Sequence, residues 1–351
     1  MTENDDLKDE SSVLDALPTT QIDITRVANL REILKEYGHK TTEICSIQLG
    51  YDNHLYVLLS SNIPMRGGIA CFTKIKIDSI FSVLEFVIDW EKEAVKQVIH
   101  LDLGRRFINF CYVQPIGDKL LLVCPRMDFE EPSMGNNAEI VDRTGKGIML
   151  GRLGDAVREV IVTESSDIIT SYFDEGVYAW YNPISGLGVR AWDDKLRKNS
   201  DKIPAFTRDE VIYMFFDECK SFWYKDISDF KLRKVSPADV GTIYEPCING
   251  MRAFLAYDNA NKLLAYEGYT QRSTFYVVDV SPARDEQTRR PTVMIGDMVP
   301  VEKIEFVSDG ERVEEINRDQ SAFRTNKAVF IDKAYNIYLK HFSSGVDAAH
   351  F

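Results

Sequence analysis

Two adjacent carboxylate pairs, Asp174-Glu175 and Asp217-Glu218, are the residues of this 351-residue chain best placed by type and spacing to do chemistry. Paired acids can hold a divalent cation or divide the general-acid and general-base roles between them. Aromatic side chains crowd the first pair, with Tyr172 before it and Tyr178, Trp180 and Tyr181 after it. Such a rim recognises a peptide, a partner's side chain or a sugar ring by stacking. These eight residues are the candidate binding set.

The first pair has a relative downstream. Residues 168–176 align without a gap on residues 211–219, at an offset of 43, and the same offset carries Trp180-Tyr181 onto Trp223-Tyr224. A catalytic dyad is needed only once in a chain. A motif repeated at this interval marks strand ends at turns, where acids are enriched for their local hydrogen bonds, with an aromatic filling the gap between sheets. On this reading no residue is catalytic and none is a metal ligand.

Other chemistry finds little support. His39, His54, His100, His341 and His350 are scattered, without the HxxxH or HExxH spacing that puts two imidazoles on one helical face. No GxSxG elbow, no GxxxxGK[ST] loop and no strand-linked GxGxxG is present, so no cofactor is expected. Cys45, Cys71, Cys111, Cys124, Cys219 and Cys247 form no CxxC pair and several lie in apolar runs, which predicts buried thiols in a reducing, cytoplasmic compartment. A net charge of -13 argues against a nucleic-acid partner, because phosphate affinity is built from clustered Lys and Arg. No apolar run approaches the roughly 20 residues of a membrane helix.

The elements that must position the candidate residues are short strands. Residues 47–59, 110–123, 254–266 and 328–339 each read as strand, polar turn, strand. Apolar runs closed by an acid recur at Asp89, Asp142, Asp193 and Asp279, at intervals of 53, 51 and 86 residues. A unit of several strands at about 40 to 50 residues is the repeat of a propeller blade, which cannot cover its own faces and stacks on its neighbours around an axis. Ahead of the repeats, residues 1–18 are acid-rich and predict a disordered tail. Residues 19–41 predict a closing strand and a short helix, with Thr25 as a candidate cap and Gly38 as the terminator. Residues 42–343 form the repeats, and 344–351 a C-terminal tail.

The segments IVDRTGKGIMLGRLG at 140–154, SYFDEG at 171–176 and GLGVRAWD at 186–193 give the chain its likeness. It resembles β-propellers of the WD-repeat, YVTN and NHL-like kind, and is similar to uncharacterised bacterial propeller proteins. The resemblance implies an all-β fold, a single propeller of six blades with five or seven as neighbours. Propellers resembling gluconolactonases place acids and Asn around the axis, which implies the alternative of a hydrolase or lyase using a divalent metal. The preferred expectation is a non-catalytic binding protein whose partner is a protein or a small molecule held on a propeller face or in an axial pocket.

Overall fold

Leu55-Tyr56-Val57-Leu58-Leu59 and Leu120-Leu121-Leu122-Val123 are apolar at every position, which suits a strand only when both of its faces are buried. In the computed structural model each is the second strand of a four-stranded antiparallel sheet with other sheets on both sides. Leu55, Val57 and Leu59 turn one way and Tyr56 and Leu58 the other, each set into a different core. The structure describes residues 14–342 apart from 67–68, 71, 73, 128–134, 179–183, 185, 200–210, 217–221, 227–230, 236–240, 247–251, 259–261, 267–273, 281–283, 286–293 and 318–319.

Six sheets follow one another along the chain. The first contains Ile44–Leu49, Leu55–Ser60, Lys76–Asp89 and Ala94–Ile108; the second contains Tyr112–Ile116, Lys119–Val123, Ala138–Val141 and Gly147–Gly151. Val157–Val162, Ile168–Tyr172 and Val189–Trp192 make the third, extended by a bridge from Trp192 to Lys198. The fourth is Val211–Phe216, Phe222–Asp226, Leu232–Val235 and Gly241–Pro246, and the fifth is Arg252–Asp258, Lys262–Tyr266, Phe275–Val280 and Met294–Ser308. The sixth takes Ala322–Arg324, Lys327–Ile331 and Asn336–His341 from one end of the described chain and Thr25–Asn29 from the other. The first strand of each sheet touches the first strand of the next, and the sixth touches the first. The molecule is a six-bladed β-propeller.

Six apolar cores fill the six gaps between blades. Between the second and third, Leu121, Val123 and Ile140 meet Val160, Ile168 and Trp192; between the fourth and fifth, Phe215 and Trp223 meet Leu263, Tyr276 and Val278. Trp223 is fully buried and stacks between Phe215 at 5.7 Å and Tyr244 at 5.5 Å. Stability therefore resides in the interfaces, since a single blade has no core of its own.

Two departures from simple repetition stand on the rim. Met294–Ser308 pairs antiparallel with Phe275–Val280 of its own blade and parallel with Gly241–Pro246 of the fourth, so one strand clasps two blades. Its far end pairs parallel with Thr19–Asp23, and Thr25–Asn29 then crosses to pair antiparallel with Asn336–His341. The N-terminal segment thus supplies two short strands to two blades. Leu14 is buried between the fourth and fifth blades, so the described chain is anchored before the tail boundary expected at Pro18; residues 1–13 and 343–351 lie outside the described residues.

The helix Leu30–Glu36 is capped by Asn29 and not by Thr25, which lies in the preceding strand. The Asn29 side chain accepts from Glu32 N–H while its amide donates to Ala334 O, tying the helix start to the sixth blade. Gly38, at φ +81°, ends it as expected, a left-handed position that glycine occupies without steric cost. Leu30 and Leu34 are fully buried against the core between the sixth and first blades.

Candidate functional site

The segment SYFDEG leaves the second strand of the third blade and enters a single helical turn, Asp174–Val177. Tyr172 is fully buried, and a hydrogen-bond chain runs through it: Trp192 Nε1 donates to Thr170 Oγ1 at 2.9 Å, Thr170 meets the Tyr172 hydroxyl at 2.8 Å, and that hydroxyl donates to Leu153 O. Burial pushes the phenol far up. Gly176 packs so closely that a Cβ there would collide with the backbone carbonyl of Asp155. Tyr172 and Gly176 are the frame of the segment.

Around that frame the exposed groups gather. Asp174 and Glu175 project into solvent, and Tyr178 is 59% exposed. Arg126, from the connection that follows the second blade's second strand, pairs with Glu175 and holds Asp155 at 3.1 Å. Asp155 is buried, accepts from Met127 N–H at 2.8 Å, and has its carboxyl pushed up by that burial against the lowering pull of Met127 N–H and Arg126. Arg158 places its guanidinium carbon 4.7 Å from the centre of the partly exposed Phe173 ring. Phe173 and Tyr178 flank the helical turn, with Arg158 over the Phe173 ring, where guanidinium and ring attract through the ring quadrupole, and with Arg126 held by Glu175 and Asp155.

Of the expected set, Trp180, Tyr181, Asp217 and Glu218 lie outside the described residues. The repeat that linked the two acid pairs joins unlike strands. Residues 168–172 are the second strand of the third blade, whereas 211–216 are the first strand of the fourth. The offset of 43 therefore aligns strands of different rank.

At the axis, Arg324 on the sixth blade's first strand donates to the carbonyl of Val162, the last residue of the third blade's first strand, at 2.6 Å. Those two blades stand opposite each other in the ring, so the guanidinium crosses the mouth. Burial pushes Arg324 down to about 10, while Asp52, Glu164 and Tyr51 favour its charged form. Tyr51 donates to Gly117 O across the neighbouring seam.

A further cluster, unsuspected from sequence, joins the first two blades. Asp52, His54 and Glu85 bring their ligand atoms within 4.8 Å of one another. Glu85 Oε1 accepts from His54 Nδ1 at 2.7 Å and from the Tyr56 hydroxyl at 3.1 Å, and Oε2 accepts from Arg143 of the second blade. Asp52 Oδ2 accepts from Tyr56 at 2.6 Å. With a guanidinium and an imidazole on Glu85 and the single Tyr56 O–H shared between the two carboxylates, donors already occupy the oxygens, and a cation would have to displace them. These residues form an inter-blade hydrogen-bond network. The turn Asp52-Asn53-His54 was the visible half; Glu85 and Arg143 are too distant in sequence to complete a motif.

No protein-family model and no curated protein matches the chain. Among solved structures it is similar to YCF48 bound to D1 peptide, at 9% identity over 93% of this chain and 100% of that one, with a TM-score of 0.45. It is likewise similar to the propeller domain of Cps50 (Swd1) from Myceliophteria thermophila, at 10% identity over 86% of this chain and 97% of that one, TM-score 0.41. A virginiamycin B lyase from Staphylococcus aureus, solved with quinupristin, is 11% identical over 84% of this chain and 93% of that one, TM-score 0.38. No activity passes to this chain from likenesses so distant; its six-bladed propeller stands on its own strand pairings and on the contacts that close the ring.

Proposed function

We propose that this propeller is a non-catalytic binding protein that holds a partner polypeptide on the patch formed by Phe173, Tyr178, Arg126 and Arg158. The observation that carries the reading is the pair of exposed rings, Phe173 and Tyr178, that flank one helical turn on a buried frame, with the Arg158 guanidinium 4.7 Å from the Phe173 ring. Rings of low conformational entropy beside fixed cations suit a segment carrying aromatic and acidic side chains. The tightly packed Gly176 and the Tyr172 hydrogen bonds preorganise the patch, which lowers the entropy cost of binding. Catalysis through axial acids has less support, because Asp174 and Glu175 are solvent-exposed and Glu175 is committed to Arg126.

A displayed peptide library selected on the purified propeller tests the reading. Selected peptides should bind in the micromolar range and lose about tenfold or more on Phe173→Ala or Tyr178→Ala, while Phe107→Ala, an exposed ring on the first blade, leaves binding unchanged. Peptides indifferent to Phe173 and Tyr178, or a failure to select any, would remove the patch from consideration.

A further inference from the structure

The flank of the first blade carries two histidines whose imidazole nitrogens face each other. His39 follows the helix Leu30–Glu36, and His100 lies on the blade's long outer strand. Their Nε2 atoms are 3.2 Å apart, and Ser82 Oγ, on the strand paired with that of His100, stands 3.2 Å from His39 Nε2. Two nitrogens bound to one tetrahedral zinc ion at 2.0–2.1 Å are separated by about 3.3 Å. The two imidazole nitrogens therefore already stand at ligand-to-ligand spacing, with the Ser82 hydroxyl equally close to one of them.

The surroundings set the chemistry of that point. A carboxylate only accepts, so Glu43 Oε2, 2.7 Å from His39 Nδ1, fixes the proton on that nitrogen and leaves the Nε2 lone pair directed at the gap. A carboxylate behind a ligating imidazole is the usual outer partner of a metal-bound histidine. On the other side the Tyr37 ring packs 5.4 Å from His100 and its hydroxyl donates to Val98 O, which steadies the second imidazole. Ser82 is nearly buried at the floor, while His100 opens to solvent, so an ion has both a base and a route in.

We propose that His39 and His100, with the Ser82 hydroxyl beneath them, bind a zinc-class divalent transition metal whose remaining positions are filled by water. Ser82, His39 and Glu43 also stand in the order of a hydrolase triad. Ser82 lies mid-strand between Leu59 and Asp102 in the ladder, so its backbone is taken up by strand pairing on both sides and supplies no oxyanion hole for an acyl substrate. Two imidazole nitrogens 3.2 Å apart suit an ion better than an acyl group.

The experiment uses the full chain without a histidine tag. Zn2+ titration by calorimetry and Co2+ titration by visible absorption should show one saturable equivalent with nitrogen-ligand bands. His39→Ala and His100→Gln should each weaken uptake at least tenfold, and Glu43→Gln by about 10–100-fold. His54→Ala serves as the control for the Asp52 network and should leave uptake intact. Circular dichroism confirms that each variant is folded, and His100, at the surface, is the variant least able to disturb the core. No saturable uptake, uptake unchanged in His100→Gln, or loss that follows His54 overturns the assignment.

Discussion

Arg324 on the sixth blade and Val162 on the third are joined across the propeller axis by one hydrogen bond of 2.6 Å from guanidinium to carbonyl. Replacing Arg324 by Met keeps most of its length and removes the charged donor, leaving Val162 O without it. A charge-assisted bond of this kind contributes about 1.5–3 kcal/mol, and Arg324→Met should lose that amount in urea unfolding with an unchanged slope. A loss under about 0.5 kcal/mol would show that water replaces the guanidinium at the mouth.

Trp223 stands at the centre of the fourth-to-fifth interface, between the rings of Phe215 and Tyr244. Trp223→Ala should cost about 3–5 kcal/mol, the range for a buried aromatic replaced by a cavity. Because Met294–Ser308 links the same two blades from outside, their unfolding should remain one transition, checked by comparing fluorescence and far-ultraviolet circular dichroism.

Gly176→Ala introduces a methyl against the Asp155 carbonyl, which is backbone and cannot rotate away. Overpacking of this kind costs about 1–3 kcal/mol. The helical turn should shift with it and weaken peptide binding at Phe173 and Tyr178. Gly117→Ala is the contrast: a methyl there meets nothing within 4 Å, and its penalty comes from the backbone at φ +58° alone, away from the patch.

Asp155 gives a pH signature. Burial raises its folded-state pKa above the unfolded value, so in the window between the two the native state holds the proton more tightly. Its contribution to stability is therefore greatest below about pH 3.9, the unfolded value, falls as pH rises through the folded pKa, and is level above it. Subtracting the pH profile of Asp155→Asn from that of the wild type should leave a difference that declines with pH over this acidic window. A difference that rises there would mean that Arg126 and the Met127 N–H outweigh burial.

Much of the architecture was legible because turns carry chemistry. The hairpins at 47–59, 110–123, 254–266 and 328–339 are all antiparallel pairs in the structure. Asp142 and Asp193, noticed as acids closing apolar runs, follow third strands and accept backbone N–H groups two and four residues on. Rank within a blade was not legible. Strands such as Ile168–Tyr172 are buried on both faces, so their composition does not say whether they stand first or second from the axis, and the 43-residue alignment slipped accordingly. The His39–His100 pair escaped for a different reason: its members are 61 residues apart and meet only when the N-terminal helix docks on the first blade. Helix start and blade closure both hang on Asn29, whose bonds to Ala334 and Asn336 have no local counterpart in the sequence.

The strand Thr25–Asn29 also sets an order of events during synthesis. Asn29 is bonded to Asn336, 307 residues later, so this strand leaves the ribosome long before its partner has been made. At 5–20 residues per second that wait is roughly 15–60 s. Throughout it the first blade keeps one apolar face uncovered and Thr25–Asn29 keeps a free edge, the two features that recruit other chains. A circular permutant carrying residues 14–41 after residue 342 would make the same contacts with its closing strand next to its partner, and should reach the folded ring sooner and with less loss to aggregation.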